Sequence, residues 1–369
     1  MKDVMGVISL CNEADRLQEL TRFRCTASIP FAGRYRLIDV VLSNMVNSGI
    51  EDVAVFTGRK YRSLMDHLGS GREWGLDRKR GGLFILPYAS VSSAGEYKGE
   101  LHTFQSHLDY FHRGSQKYVL IAGSRVVCKI DYRRVIEYHQ STGADITVVY
   151  KEREVGDSPA LREVSVQEDG RIADMEEHPG GTGGNGLSLD MFVIEKSLLL
   201  TMIEACVAGG RFNFVRDGIV KNWNELKVYG YRHRGYTAVI DTIHDYYYES
   251  LHLLHPEVWE SLFCEHNPIY TKAKDEPPVK YASGARVANS LIANGCIIEG
   301  TVENSILFRG VKVKKGAHIA NSIVMQRCEI GENAAVRCTI LDKDAKLTAG
   351  QMLLGDWEQP AVIEKRAVL

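Results

Sequence analysis

Between Ala285 and Leu347 the chain repeats itself on a period that fits neither a helix nor a simple alternating strand. The stretches NSLIANGCIIEG, NSILFRGVKVKKG, NSIVMQRCEIGEN and CTILDKDAKL are self-similar, with Ser290, Ser305, Ser322 and Thr339 spaced 15, 17 and 17 residues apart. Within them Leu307, Val313, Ile319, Val324, Ile330, Val336, Leu341 and Leu347 recur every five or six positions. A hexad period turns one aliphatic side chain per short strand into the middle of a parallel β-helix. The segment supplies about four coils, enough to bury a continuous stripe. His318 is the one histidine in the coils. It reads as a surface or packing residue, so this region is expected to mediate assembly rather than acyl transfer.

Up to about residue 255 the pattern is different. Apolar runs at 4–10, 52–57, 83–87, 118–122, 146–151, 191–194 and 228–231 alternate with amphipathic stretches at 37–47, 103–112, 132–140 and 197–208. Such alternation predicts a mostly parallel sheet covered by helices, with ligands at the carboxyl ends of the strands. A proline-bearing stretch with Pro256, Pro268, Pro277 and Pro278 reads as a linker. The expected division is therefore 1–255, a linker at 256–283, the β-helix at 284–356 and a tail at 357–369.

With 45 basic and 47 acidic residues the formal charge is −2, which offers no whole-molecule attraction to nucleic acid or anionic lipid. The eight cysteines form no CxxC pair, which suits reduced thiols better than a disulfide frame or a zinc site. No basic-then-apolar leader opens the chain, and the apolar stretch 197–208 is broken by Glu204 and too short for a bilayer. A soluble, cytoplasmic protein is expected.

The first strand, from Val4, runs into a turn, Cys11-Asn12-Glu13-Ala14-Asp15, and then into a helical period at Arg16, Leu17 and Leu20. A strand-to-helix turn of this kind is where phosphates dock, but backbone approach to an anion calls for glycine. This turn has two carboxylates and no glycine. A carboxylate about 4 Å from a phosphate charge costs roughly 1 kcal/mol in water and about 4 kcal/mol at an effective dielectric of 20. That weakens triphosphate binding by about one to three orders of magnitude.

FAGRYRLIDVVLSNMVNSGI (31–50) and HLGSGREWGLDR (67–78), together with the coil segment, carry a specific resemblance. Over roughly residues 4 to 355 the chain resembles the bacterial ADP-glucose pyrophosphorylases (glucose-1-phosphate adenylyltransferases). That resemblance implies an α/β fold: a Rossmann-like nucleotidyltransferase domain with a mostly parallel sheet, followed by a left-handed parallel β-helix of hexapeptide repeats. Enzymes of that family transfer AMP from ATP to glucose 1-phosphate with Mg²⁺.

The chemistry-bearing segments depart from the family. Where its loop reads A-G-G-x-G-T-R-L, this chain has Cys11, Asn12 and Ala14 at the glycines and keeps only Arg16-Leu17. The lysine of R-A-K-P is Thr26, and the aspartate of L-A-G-D-H is Ser124, followed by Arg125. E-K-P keeps Glu177 and Pro179 but has His178 for its lysine; the aspartate of W-R-D-V-G-T is Val239. Asp241 lies two residues on, which on a strand is about 6.6 Å away.

Phosphoryl-type transfer depends on positioning and charge neutralisation, much of it by Mg²⁺ held on carboxylates. The losses imply no catalytic residue and no metal or cofactor bound by this chain, Mg²⁺ being expected in a catalytic partner. Arg16, Arg24 and Glu177 remain as residual ligand-binding candidates. The resemblance implies a non-catalytic, GlgD-type subunit that joins a catalytic homologue as a heterotetramer. The alternative is an active stand-alone adenylyltransferase with a divergent phosphate loop. Arg34 matches an effector-contacting basic position of the family and Arg337 a basic position in its β-helix. With Arg36 and Arg72 they are candidates for a sugar-phosphate or phosphate effector. A competing role for Arg34 and Arg36 is capping the helix at 37–47 or pairing with carboxylates. The glycine-rich stretch 178–186 is expected to be a flexible loop, and the Tyr246-Tyr247-Tyr248 run to pack on the linker.

Overall fold

The computed structural model describes residues 1–11, 16–88, 98–154, 161–175, 184–263 and 266–369. They form two compact units interleaved in sequence. One comprises Met1–Glu13, Val40–Thr237 and His266–Tyr270, and the other Ala14–Asp39, Ala238–Glu265 and Thr271–Leu369.

The first unit is built on a sheet whose strands are β1 (Val4–Ser9), β2 (Asp52–Thr57), β3 (Gly82–Pro87), β4 (Tyr118–Ala122), β5 (Ile146–Glu152), β6 (Glu163–Val166), β7 (Ile172–Met175), β8 (Gly186–Glu195) and β9 (Val228–Arg232). The order is β7-β6-β8-β4-β1-β2-β3, with β5 between β8 and β9. Strands β4, β1, β2 and β3 are mutually parallel, while β8 runs antiparallel to β4 and β5. β1 and β2 are almost wholly buried, as apolar runs without alternation require. The amphipathic stretches fold as α1 (Leu37–Asn47), α2 (Glu100–Gln105), α3 (Leu108–Arg113), α4 (Tyr132–Thr142) and α5 (Lys196–Ala208). The expected helix at 103–112 is thus two short ones. His107 breaks it, its backbone leaving the helical region and its Nε2 lying 3.0 Å from the Pro87 carbonyl.

The second unit holds a three-faced parallel coil with five strands on each face. One face runs Lys280–Tyr281, Ile297–Ile298, Lys312–Val313, Glu329–Ile330 and Lys346–Leu347. The next runs Arg286–Ala288, Thr301–Glu303, His318–Ala320, Ala335–Arg337 and Met352–Leu354, and the third Leu291–Ile292, Ile306–Leu307, Ile323–Val324, Thr339–Leu341 and Ala361–Ile363. Every hexad aliphatic named above is buried at 3% exposure or less, so the stripe is the core of the coil. The Ser/Thr period has its own cause. The backbone N–H groups of Ser305, Ser322 and Thr339 donate to the hydroxyls of Ser290, Ser305 and Ser322 at 3.1, 3.0 and 3.2 Å. Those hydroxyls donate in turn to the carbonyls of Ala288, Glu303 and Ala320. Just before each, Asn289, Asn304, Asn321 and Cys338 take left-handed backbone (φ +39° to +47°), which asparagine tolerates well.

Several boundaries differ from expectation. The period at Arg16 closes only one turn, Gln18–Thr21. Residues 256–263 form a helix, Pro256–Phe263, with proline at its start where the missing N–H costs nothing, so the linker begins later. Residues 361–363 are the last coil strand rather than a tail, and the coil begins at Lys280. Tyr246 and Tyr247 are fully buried, and their hydroxyls donate to the Pro30 and Asn321 carbonyls (2.7 and 2.6 Å). Among the described residues no helix is long and apolar enough to cross a membrane.

Candidate functional site

In the sheet unit β1 is flanked by β4 and β2, both parallel to it, and the chain progresses outward in opposite directions from that point. Ligands of open α/β sheets bind beyond the carboxyl ends at such a switch point. Here those ends carry Ser9 and Cys11 on one side, and Ser124 and Arg125 on the other. Ser9 donates from Oγ to Glu100 Oε1 at 2.5 Å. Gly99 permits this delivery: its φ is +145°, and a Cβ there would lie 2.4 Å from the Phe212 carbonyl oxygen. Burial pushes the Glu100 carboxyl above the usual range, against the Ser9 hydrogen bond and the Arg162 charge. β8 pairs with β4 through Met191 and Ala122, which puts Asp190 just past the end of β4. Arg125 Nη2 meets Asp190 Oδ2 at 2.5 Å, and Arg162 Nη1 meets Oδ1. Burial works against ionisation of Asp190, but Arg162 and Arg125 outweigh it and hold the carboxyl below its ordinary value.

The other family chemistry positions lie in the second unit. Thr26 is buried at the start of a single 3₁₀ turn, Thr26–Ser28. Val239 is buried too. Asp241, the carboxylate nearest in sequence to the lost one, is paired with Arg16 at 2.7 Å. Arg24, a residual ligand-binding candidate by sequence, is corrected to a structural role. Its guanidinium is 3% exposed and closes on Asp342, with the Met325 sulfur alongside at 3.8 Å. Asn12, Ala14, Glu177, His178 and most of the glycine-rich stretch lie outside the described residues.

Magnesium asks for oxygen ligands, carboxylates first. Ser124 and Val239 supply none, Asp241 is held by Arg16, and Asp190 by two arginines. Among the described residues no group of three or more His, Cys, Asp or Glu side chains is arranged to hold a metal. Among the described residues neither unit, taken by itself, holds a donor set that fits a magnesium site.

A second cluster in the coil unit has the opposite character. Arg34 lies over the Tyr35 ring (5.5 Å to its centroid), and Tyr35 stacks on Phe263. Burial and then Arg34 lower the Arg309 pKa, with Glu276, Asp39 and Tyr35 opposing. Desolvation followed by Arg309, Arg327, Arg36 and Lys272 lowers Lys274. Burial, Arg36 and Arg24 bring Lys343 down to about 6, with Asp342 opposing and Lys365 adding to the drop. Arg327 is spoken for by Asp344, at 2.7 and 3.1 Å. The Arg36 backbone N–H is held by Asp39 (3.0 Å), so the carboxylate, not a guanidinium, caps α1.

Of the four effector candidates, the structure brings Arg34 and Arg36 together. Arg72 is exposed on the 3₁₀ turn Arg72–Trp74 of the sheet unit. Arg337 is exposed at the end of its strand, whereas Arg309 and Arg327 sit on another corner of the coil. Sequence reasoning missed Lys274, Arg309 and Lys343, as well as Glu100, Arg162 and Asp190. The coil repeat carried a signal for Arg309 and Lys343, which lie two 17-residue repeats apart with Gln326 between them, but none for Lys274, which precedes the coil. For Asp190 no local pattern marks the left-handed backbone (φ +53°) in mid-strand.

A family model of nucleotidyl transferases matches residues 11–260, and one of GlmU-like C-terminal hexapeptide domains matches 277–361. The chain is 40% identical to the glycogen biosynthesis protein GlgD of Bacillus subtilis (strain 168), over 99% of this chain and 96% of that protein. It is 44% identical to the GlgD of Geobacillus stearothermophilus, over 85% of this chain and 82% of that protein. A glucose-1-phosphate adenylyltransferase of Thermomicrobium roseum is 37% identical, over 99% of this chain and 86% of that protein.

Proposed function

This chain belongs to the nucleotidyl transferase family, among the GlgD glycogen biosynthesis proteins, and from that premise we propose that it is a non-catalytic subunit of a bacterial ADP-glucose pyrophosphorylase. It assembles in the cytoplasm, as a heterotetramer, with a catalytic homologue that binds Mg²⁺ and makes ADP-glucose from ATP and glucose 1-phosphate. One observation carries the reading: positions 124 and 239 hold no carboxylate, and the nearest substitute, Asp241, is neutralised by Arg16. Neither position offers Mg²⁺ the carboxylate it would need beside the triphosphate oxygens.

The subunit's contribution is regulatory. In the cluster of Arg34, Arg36, Lys274, Arg309 and Lys343, burial first and neighbouring cations second depress the lysines, and an incoming phosphate or sugar-phosphate effector relieves the like-charge part of that cost. The test measures ADP-glucose formation by the pure protein, by a catalytic homologue and by their mixture. The expected result is no turnover alone and, in the mixture, a turnover and effector response that the homologue lacks. Robust turnover by this chain alone would instead make it an enzyme with a divergent phosphate loop. Arg34→Ala with Arg36→Ala should abolish the effector response while assembly persists.

A further inference from the structure

The crevice of the sheet unit contains an arrangement that the loss of catalysis does not by itself explain. Arg125, just past β4, and Arg162, just before β6, come from separate parts of the chain and converge on the two oxygens of one carboxylate, Asp190. Two guanidinium groups, each on a different oxygen of one anion, form an arrangement by which arginines also take phosphate. The carboxylate itself is unusually placed. Asp190 has φ +53° at the point where the β8–β5 register slips between Ser188 and Met191, a backbone that L side chains other than Asn and Asp seldom take. Its N–H is held by Ser188 Oγ at 3.3 Å, which keeps the side chain directed between the arginines. All of this lies beyond the carboxyl ends of β1 and β4, where a ligand of this sheet belongs.

We propose that Arg125 and Arg162 form a binding site for a phosphate-class anion that Asp190 fills from within. The inference rests on the reading that this crevice no longer turns over substrate, and its test reads binding rather than turnover, so each can fail alone. Asp190 acts as a tethered ligand, and a free anion has to compete with that intramolecular contact. Removing the carboxylate should therefore open the site.

Asp190→Gly suits the left-handed backbone, and Asp190→Asn keeps the side-chain volume should the glycine variant not fold. Both are made with Arg34→Ala and Arg36→Ala, to remove the other cationic cluster. They are titrated with inorganic phosphate and, separately, glucose 1-phosphate, by calorimetry and thermal unfolding. The expected result is saturable binding in an Asp190 variant, at least tenfold tighter than in the Asp190 parent, and lost on adding Arg162→Gln. At ligand tenfold above Kd the unfolding midpoint should rise by about 3 °C. Tighter binding of glucose 1-phosphate than of phosphate identifies a phosphate monoester as the class; equal binding identifies the bare anion. Overturning results are equal affinity in parent and variants, no binding in either variant, or gained binding that survives Arg162→Gln.

Discussion

In the crevice of the sheet unit Arg125 and Arg162 close on one carboxylate, while in the coil unit burial and neighbouring cations together lower the pKa values of Arg309, Lys274 and Lys343, with Arg34 acting on the first and Arg36 on the two lysines. Neutralised from within, the first offers an anion little. The second carries a cost of desolvation and of like-charge crowding, and a bound anion would relieve the crowding. Arginines paired on a carboxylate of the same chain are satisfied without any ligand. Cations left in excess elsewhere mark where a ligand still has work to do.

The comparison depends on the coil unit being rigid enough to hold its cations together, and the buried Arg24–Asp342 pair is the place to break it. Both side chains are 4% exposed or less. Removing one partner strands the other charge in the interior, at about 3–5 kcal/mol. Asp342→Ala should cost that much in urea unfolding, and Arg24→Met with Asp342→Leu should recover most of it. A loss under about 1 kcal/mol for Asp342→Ala would mean that the pair is solvated and the cluster's framework looser than described.

How much of this was legible in advance follows from the range of the interactions. The coil was readable because its rule is local and repeated: one aliphatic per face, one hydroxyl after each left-handed Asn or Cys. Strands β1, β2 and β4 were readable as apolar runs with buried sides. Strands β6 and β7 were not, because their burial neither alternates nor runs continuously, and only their antiparallel pairing at the end of the sheet holds them. The lost carboxylates at 124 and 239 were visible as substitutions. Their consequences were not, because Arg16–Asp241 and Arg162–Asp190 join residues 225 and 28 positions apart. The same distance hid the use of Arg24, 318 residues from Asp342.

Acidity gives a second way to sharpen the contrast. Lys343 sits at about 6 in the folded chain, below the ordinary lysine value of about 10.4, held there by burial and by Arg36, Arg24 and Lys365 against Asp342. Between those values the unfolded chain carries a proton that the folded chain lacks. Raising pH through that window therefore favours the folded state, by up to about 1.4 kcal/mol per pH unit for one proton. Denaturation at pH 7 and pH 9 should show this gain in the natural protein and lose it in Lys343→Met. A bound phosphate needs the lysine charged, so effector affinity should fall by up to about tenfold per pH unit above 6. An affinity flat from pH 6 to 9 would remove Lys343 from the site.

The smallest effect tests the coil's own rule. Ser322 Oγ donates to the Ala320 carbonyl (2.7 Å) and accepts from the Thr339 N–H (3.2 Å), and the residue is fully buried. Ser322→Ala leaves that N–H without its acceptor in a site closed to water, at about 1–3 kcal/mol. Ser290→Ala removes the same kind of group from the half-buried first coil and should cost less than Ser322→Ala. Urea midpoints of the two variants separate a ladder that contributes to stability from one that only accompanies the fold. Since the strands on each side of Ser322 are held by their own aliphatic stripe, the loss should appear as a lower midpoint at unchanged slope. A change in slope would show coils melting one at a time, and the framework of the cationic cluster would then be no more cooperative than a single turn of the solenoid.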